Sequence, residues 1–115
     1  MDVLRVGTIH FVDEQDGEAE RDLKAKLVTL FDQLHLIKIA YLACVQYDNA
    51  ESVDVAVCVR GLRGQDRMVA QQVSQVFASI FARDQHVDVV WITPEQEAAL
   101  AKVCRPFYKV DPNAR

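Results

Sequence analysis

The chain is 115 residues long with a mass of 13.0 kDa; 50% of it is hydrophobic, 26% is charged, and Gly and Pro together supply only 7 positions. That composition excludes a disordered, collagenous or low-complexity chain, and the length fits one domain able to bury roughly two thirds of its surface. Seventeen acidic against thirteen basic residues leave a net charge of -4, which argues against nucleic acid as a partner, because duplex binders carry a basic excess to neutralise phosphates.

Val3 to Val12 mixes β-branched residues with Thr8 and His10 and predicts an edge strand broken near Gly7. Asp13 to Asp22 then holds six acids, Asp13, Glu14, Asp16, Glu18, Glu20 and Asp22, against one Arg21. Its glycine predicts a loop for the first half, and the second half opens a helix whose positive end suits the acids. Leu23, Leu27, Leu30, Phe31 and Leu34 fall on one stripe of that helix. Ile37 to Tyr47 reads as a central strand, Asp48 to Ser52 as a turn, and the alternating Val53, Val55, Val57 and Val59 as the second arm of a β-hairpin.

Gly61 to Asp66 is an expected loop, and Met68, Val69, Val73, Val76, Phe77, Ile80 and Phe81 trace a second amphipathic helix ending near Arg83. Val87 to Ile92 predicts the last strand. Thr93-Pro94-Glu95-Gln96 carries a capping threonine, a proline at the first helical position and a glutamine three residues after the cap. A third helix therefore starts at Pro94 and is expected to run through Val103, stopping before Pro106. Asp111 to Arg115 reads as a polar tail.

The expected fold is α+β: a small mixed or antiparallel sheet of three to four strands with three helices, mainly on one face, in a single domain over residues 1–115. If the strands flanking the second helix are parallel in one sheet, their connection is a right-handed crossover. The N-terminus lacks the basic start and apolar run of a signal peptide, and no uncharged stretch, neither Ile39 to Tyr47 nor the longer Met68 to Ala82, reaches the roughly 18 residues needed to span a bilayer. A cytoplasmic protein is the expectation, with no membrane partner.

Chemistry-bearing residues are sparse. Cys44, Cys58 and Cys104 are odd in number and contain no CxxC unit, so neither a disulfide framework nor a zinc site is expected. Cys44 and Cys58 sit at apolar strand positions and read as core hydrophobes. Cys104 precedes Arg105, which would lower its pKa if the thiol were exposed; a small enzyme using Cys104 or a histidine is the competing class. His10, His35 and His86 have no spacing that pairs two on a helix face. GxGxxG, P-loop, GxSxG and HExxH motifs are absent, and no cofactor is expected. The loop Gly61-Leu62-Arg63-Gly64, flanked by Arg60 and Arg67, reads as strand-to-helix geometry with solvated arginines, with a phosphate or acidic-partner contact as the alternative.

Three segments resemble the C-terminal domain of the SseB family, proteins named for enhanced serine sensitivity: Ile37-Lys38-Ile39-Ala40-Tyr41-Leu42-Ala43, Val87-Asp88-Val89-Val90-Trp91, and Arg105-Pro106-Phe107-Tyr108. The resemblance runs from about Leu23 to Tyr108. Members of that family often carry a further N-terminal domain, for which 115 residues leave no room. The resemblance implies a small bacterial domain without an established catalytic activity and favours a non-catalytic protein-interaction role. An immunity or adaptor protein of a secretion system, binding a toxin or effector, is the alternative within binding.

Candidate partner-binding residues follow from charge and exposed apolar area. Asp13, Glu14, Asp16, Glu18 and Glu20 would form a docking face for a basic protein. The Val87 strand is apolar on both sides, so it is central, covered twice by its own chain, or covered on one face by another protein. Three helices against a small sheet would leave a face near Trp91 for another protein or for a homodimer. Phe107 and Tyr108 either contact a partner or pack back over the core as a C-terminal latch.

Overall fold

The computed structural model of the chain describes residues 9–14, 16–47, 54–62, 66–81 and 87–110. The elements run β1 (Ile9–Glu14), α1 (Glu18–Leu34), β2 (Ile37–Tyr47), β3 (Asp54–Gly61), α2 (Arg67–Ala78), β4 (Asp88–Trp91), α3 (Pro94–Leu100) and β5 (Tyr108–Lys109). The sheet order is β1-β2-β3-β4, with β5 paired to β2 beside β1. β1, β2, β3 and β5 pair antiparallel, whereas β3 and β4 are parallel neighbours joined through α2. The expected mixed α+β architecture holds. The edge strand at the N-terminus reaches Glu14, so Asp13 and Glu14 lie in a strand where a loop was expected, and the register shift falls between Phe11 and Asp13. The break expected at Gly7, the turn at residues 48–52, His86 and the tail at 111–115 lie outside the described residues.

Hydrophobic spacing places the helices. Leu23, Leu27 and Phe31 of α1 and Val69, Val73 and Phe77 of α2 recur every four residues and are buried together against one face of the sheet. That face also carries Ile37, Ala40 and Leu42 of β2 and Val57 and Val59 of β3. The parity of β2 changes between Ile37 and Ala40 because the strand register shifts between Ile37 and Ile39. Beyond that bulge, Ile39, Tyr41, Ala43 and Val45 face the opposite side, with Ala56 and Cys58 of β3, and there Leu100 of α3 and Cys104 cover them. Two helices therefore pack on one face and the third on the other.

Helix ends follow local chemistry. Asp66 caps α2 by accepting the Met68 N–H at 2.8 Å, and α3 carries the reciprocal Thr93–Gln96 capping box expected from its sequence. α1 stops at His35, which adopts a left-handed conformation (φ 56) and donates its N–H to the Phe31 carbonyl. α3 is shorter than its sequence suggested. After Leu100 the chain tightens into i→i+3 bonds, Lys102 to Ala99 and Val103 to Leu100, and so leaves the α-helix before Pro106 acts. α2 likewise ends at Ala78, where the Ser79 hydroxyl donates to the Val76 carbonyl.

Candidate functional site

β2 is long enough to carry two short strands along one edge. β1 pairs with Ala43 to Tyr47, and β5 pairs with Ile39 and Ala40. In the interval between them the Cys104 thiol donates to the Leu42 carbonyl at 3.5 Å, and on either side of β5 the Phe107 and Val110 amides donate to the Ala40 and Lys38 carbonyls. The C-terminal segment thus completes an edge that β1 leaves unfinished. Tyr108 is buried, its ring edge-on to Phe31 at 5.4 Å and its hydroxyl 3.3 Å from Asp32 Oδ1; Phe107 lies 6.3 Å from the same Phe31 ring. This is the latch arrangement anticipated for Phe107 and Tyr108. Trp91, half-buried, packs with Val89 against the α1/α2 core, while Val90 of the same strand packs against the α3 side. β4 is partly covered on both faces by its own chain, although it lies at the end of the strand order.

The acidic stretch is partly consumed by intrachain pairs. Glu14 accepts the Arg105 amide at 3.1 Å and the Arg105 guanidinium at 3.3 Å, and Lys24 Nζ lies 3.4 Å from its other oxygen. Burial alone would raise the Glu14 pKa, but the two Arg105 hydrogen bonds and the Lys24 charge outweigh it and hold it below the usual carboxylate value. Asp16 is bound by Arg21 and Lys24, which lower its pKa in the same sense. Glu18 is exposed and Glu20 half-buried, its carboxylate lying over Gly17; Asp13 is placed only as a β1 residue. Of the five acids expected to form a docking face, Glu14 therefore ties β1 to the C-terminal segment, and Asp16 is paired locally with Arg21 and Lys24.

A pH prediction follows for Glu14. Because its folded-state pKa is depressed, its stabilisation is complete above about pH 4.5 and is lost as pH falls through the lower folded value. Glu14→Gln should therefore lower unfolding free energy by about 1 kcal/mol at pH 7, a figure kept small because the Arg105 side chain is largely exposed. Urea melts at pH 7 and pH 3 should show the wild-type advantage shrink at the acid end; an equal difference at both would refute the pairing.

The α3 face opens into a groove of about 450 Å³ lined by Lys38, Ile39, Leu62, Glu97, Lys109 and Val110. Its floor is apolar because Ile39 follows the β2 bulge onto this face, and Leu62, just beyond β3, stands 48% exposed at its wall. Lys38 and Lys109 are exposed at the rim. Glu97 closes one side: Arg60 Nη1 donates to it at 2.8 Å, and the Tyr41 hydroxyl donates to its other oxygen at 3.3 Å. Burial, and then the Glu97 charge, push the Tyr41 phenol up to about 12, so it stays protonated as a donor.

Of these residues the sequence points to Leu62 and Arg60 alone, through the glycine loop that follows β3, and Arg60 is paired with Glu97 where a solvated arginine was expected. The available signal was a charge breaking an apolar strand: Lys38 between Ile37 and Ile39, and Arg60 after Ala56 and Cys58 on one face of β3. The cysteines, by contrast, lie largely out of solvent. Cys58 is fully buried and burial raises its thiol to about 12; Cys104 is buried with its thiol on Leu42, while the Arg105 guanidinium turns to Glu14. Cys44 is half-buried, against the core position expected for it. Among the described residues no cluster of three or more His, Cys, Asp and Glu could hold a metal, and no helix is long and apolar enough to cross a membrane.

A family model described as SseB protein C-terminal domain matches residues 15–109. No curated protein and no solved structure matches the chain.

Proposed function

The chain belongs to the SseB protein C-terminal domain family, and from that premise we propose that it is a non-catalytic protein-interaction domain that docks another polypeptide in the groove between α3 and the sheet. The groove itself is the observation that carries this reading. It is concave, mostly apolar and edged by a few polar groups, the pattern of a recognition site. The pairing of Glu97 with Arg60 and the protonated Tyr41 hydroxyl support a binding role over proton transfer at this wall. Glu18 and Glu20 retain the docking-face role as a secondary contact for a basic surface.

The reading is tested by quantitative affinity purification from native cell lysate, comparing the wild-type chain with Leu62→Asp and with Glu18→Lys/Glu20→Lys. Leu62 is half exposed, so the first change places a charge in the groove wall without opening the core. The expected result is a specific protein recovered about tenfold less by the Leu62 variant, since a charge in a desolvated contact is unfavourable. Equal recovery by wild type and both variants would reject the proposal.

A further inference from the structure

We propose that the groove takes a linear acidic peptide segment, an aliphatic side chain flanked by Asp or Glu carboxylates; this rests on the interaction role just given and names the class of partner. The argument is one of charge against shape. On a chain of net charge -4, the groove rim presents two exposed ammonium groups, Lys38 and Lys109, and the structure gives neither an ion-pair partner among the described residues. The two lie on paired strands, since Ile39 is opposite Lys109 in the β2–β5 register and Lys38 precedes Ile39. Both line the groove beside Ile39.

The carboxylate in the groove wall does not oppose an acidic occupant. Glu97 is compensated by the Arg60 guanidinium at 2.8 Å and by the Tyr41 hydroxyl, which leaves Lys38 and Lys109 as the uncompensated charges among the described lining residues. Ile39, Leu62 and Val110 give an aliphatic side chain its contact, and the volume of about 450 Å³ suits a few residues of extended peptide. Carboxylates on either side of that anchor would meet Lys38 and Lys109. A basic segment would meet like charge at the rim, so the groove selects by sign as well as by shape. This sign is opposite to that expected from the acidic stretch, and the two surfaces address different partners or different parts of one.

The test is nitrogen-15 NMR titration of the full chain with the peptide Glu-Glu-Ile-Glu-Glu and with its neutral counterpart Gln-Gln-Ile-Gln-Gln, both blocked at their ends. The expected result is a set of amide shifts at Lys38, Ile39, Leu62 and Lys109 with the acidic peptide, weakening as salt rises from about 0.05 to about 0.5 M. The Lys38→Glu/Lys109→Glu variant should bind about tenfold more weakly. Both lysines are exposed, and an unchanged spectrum outside the groove confirms that this variant is folded. Equal shifts with the neutral peptide, shifts confined to other surfaces, or no shifts at all would overturn the acidic preference. A concentration-dependent dimer that the double variant abolishes would also overturn it, assigning the groove to a second copy. Loss of the acidic preference with groove-dependent capture retained would leave the interaction role standing, so the two failures are separable.

Discussion

Replacing Phe31 by alanine lowers the unfolding free energy by about 3–5 kcal/mol, the usual range for a fully buried aromatic. The reason lies in what one ring holds together. Phe31 is fully buried on α1, packs into the core shared with α2 and the sheet, and takes the edge-on contact of Tyr108 and the tilted contact of Phe107. Its removal leaves a cavity under the C-terminal latch and withdraws the aromatic pairing, which adds about 0.5–1.5 kcal/mol beyond burial. For a chain of this size that corresponds to a fall in Tm of roughly 12–20 °C. A double-mutant cycle of Phe31→Leu with Tyr108→Leu, read by thermal and urea denaturation, should show favourable coupling between the two rings. Additive effects would mean that the latch is not held by this contact.

Leu100→Ala is expected to cost about 2–5 kcal/mol, and its consequence reaches the groove. Leu100 is the one buried residue of the seven-residue α3, and it sits with Cys104 on the second face of the sheet. A helix this short has little stability of its own, so it is held by its capping box and by that anchor. Glu97, one turn earlier, reaches Arg60 and Tyr41 only while α3 stays docked. The variant should therefore lose groove binding and stability together. Hydrogen exchange at the amides of Ala101, Val103 and Cys104 should accelerate well beyond the change seen in α1. Uniform acceleration across the chain would instead mean that α3 unfolds only with the whole domain.

The family match was legible in the residues, and the latch as one of two readings, for a common reason. The segments Ile37 to Ala43, Val87 to Trp91 and Arg105 to Tyr108 combine apolar strand patterning with a proline-aromatic motif, and these are local properties. For Phe107 and Tyr108 the sequence left a latch and a partner contact open, because adjacent exposed aromatics need a cover of either kind; the fold buries Tyr108 and half-buries Phe107. The groove was not legible. Lys38, Leu62, Glu97 and Lys109 are spread over four segments, and none belongs to a spaced motif. Glu14 was read as a solvated docking charge because its partner, Arg105, is 91 positions away. Charge runs in a sequence carry no sign of which members find a counter-ion in the fold.

Sequence alone determined the α+β class, the stripes that bury Leu23, Leu27, Phe31, Val69, Val73 and Phe77, and the capping box that starts α3, because each rests on spacing within one helical turn or one strand. Tertiary structure alone decided which sheet face each helix covers, the reversal of side-chain parity after Ile37, and the two-residue strand at Tyr108 and Lys109. Those depend on backbone pairing between segments far apart in the chain, whose energy appears only when both partners are in place. The groove belongs to the second group: it is the space a short α3 leaves uncovered on the far face, and no local pattern encodes a gap.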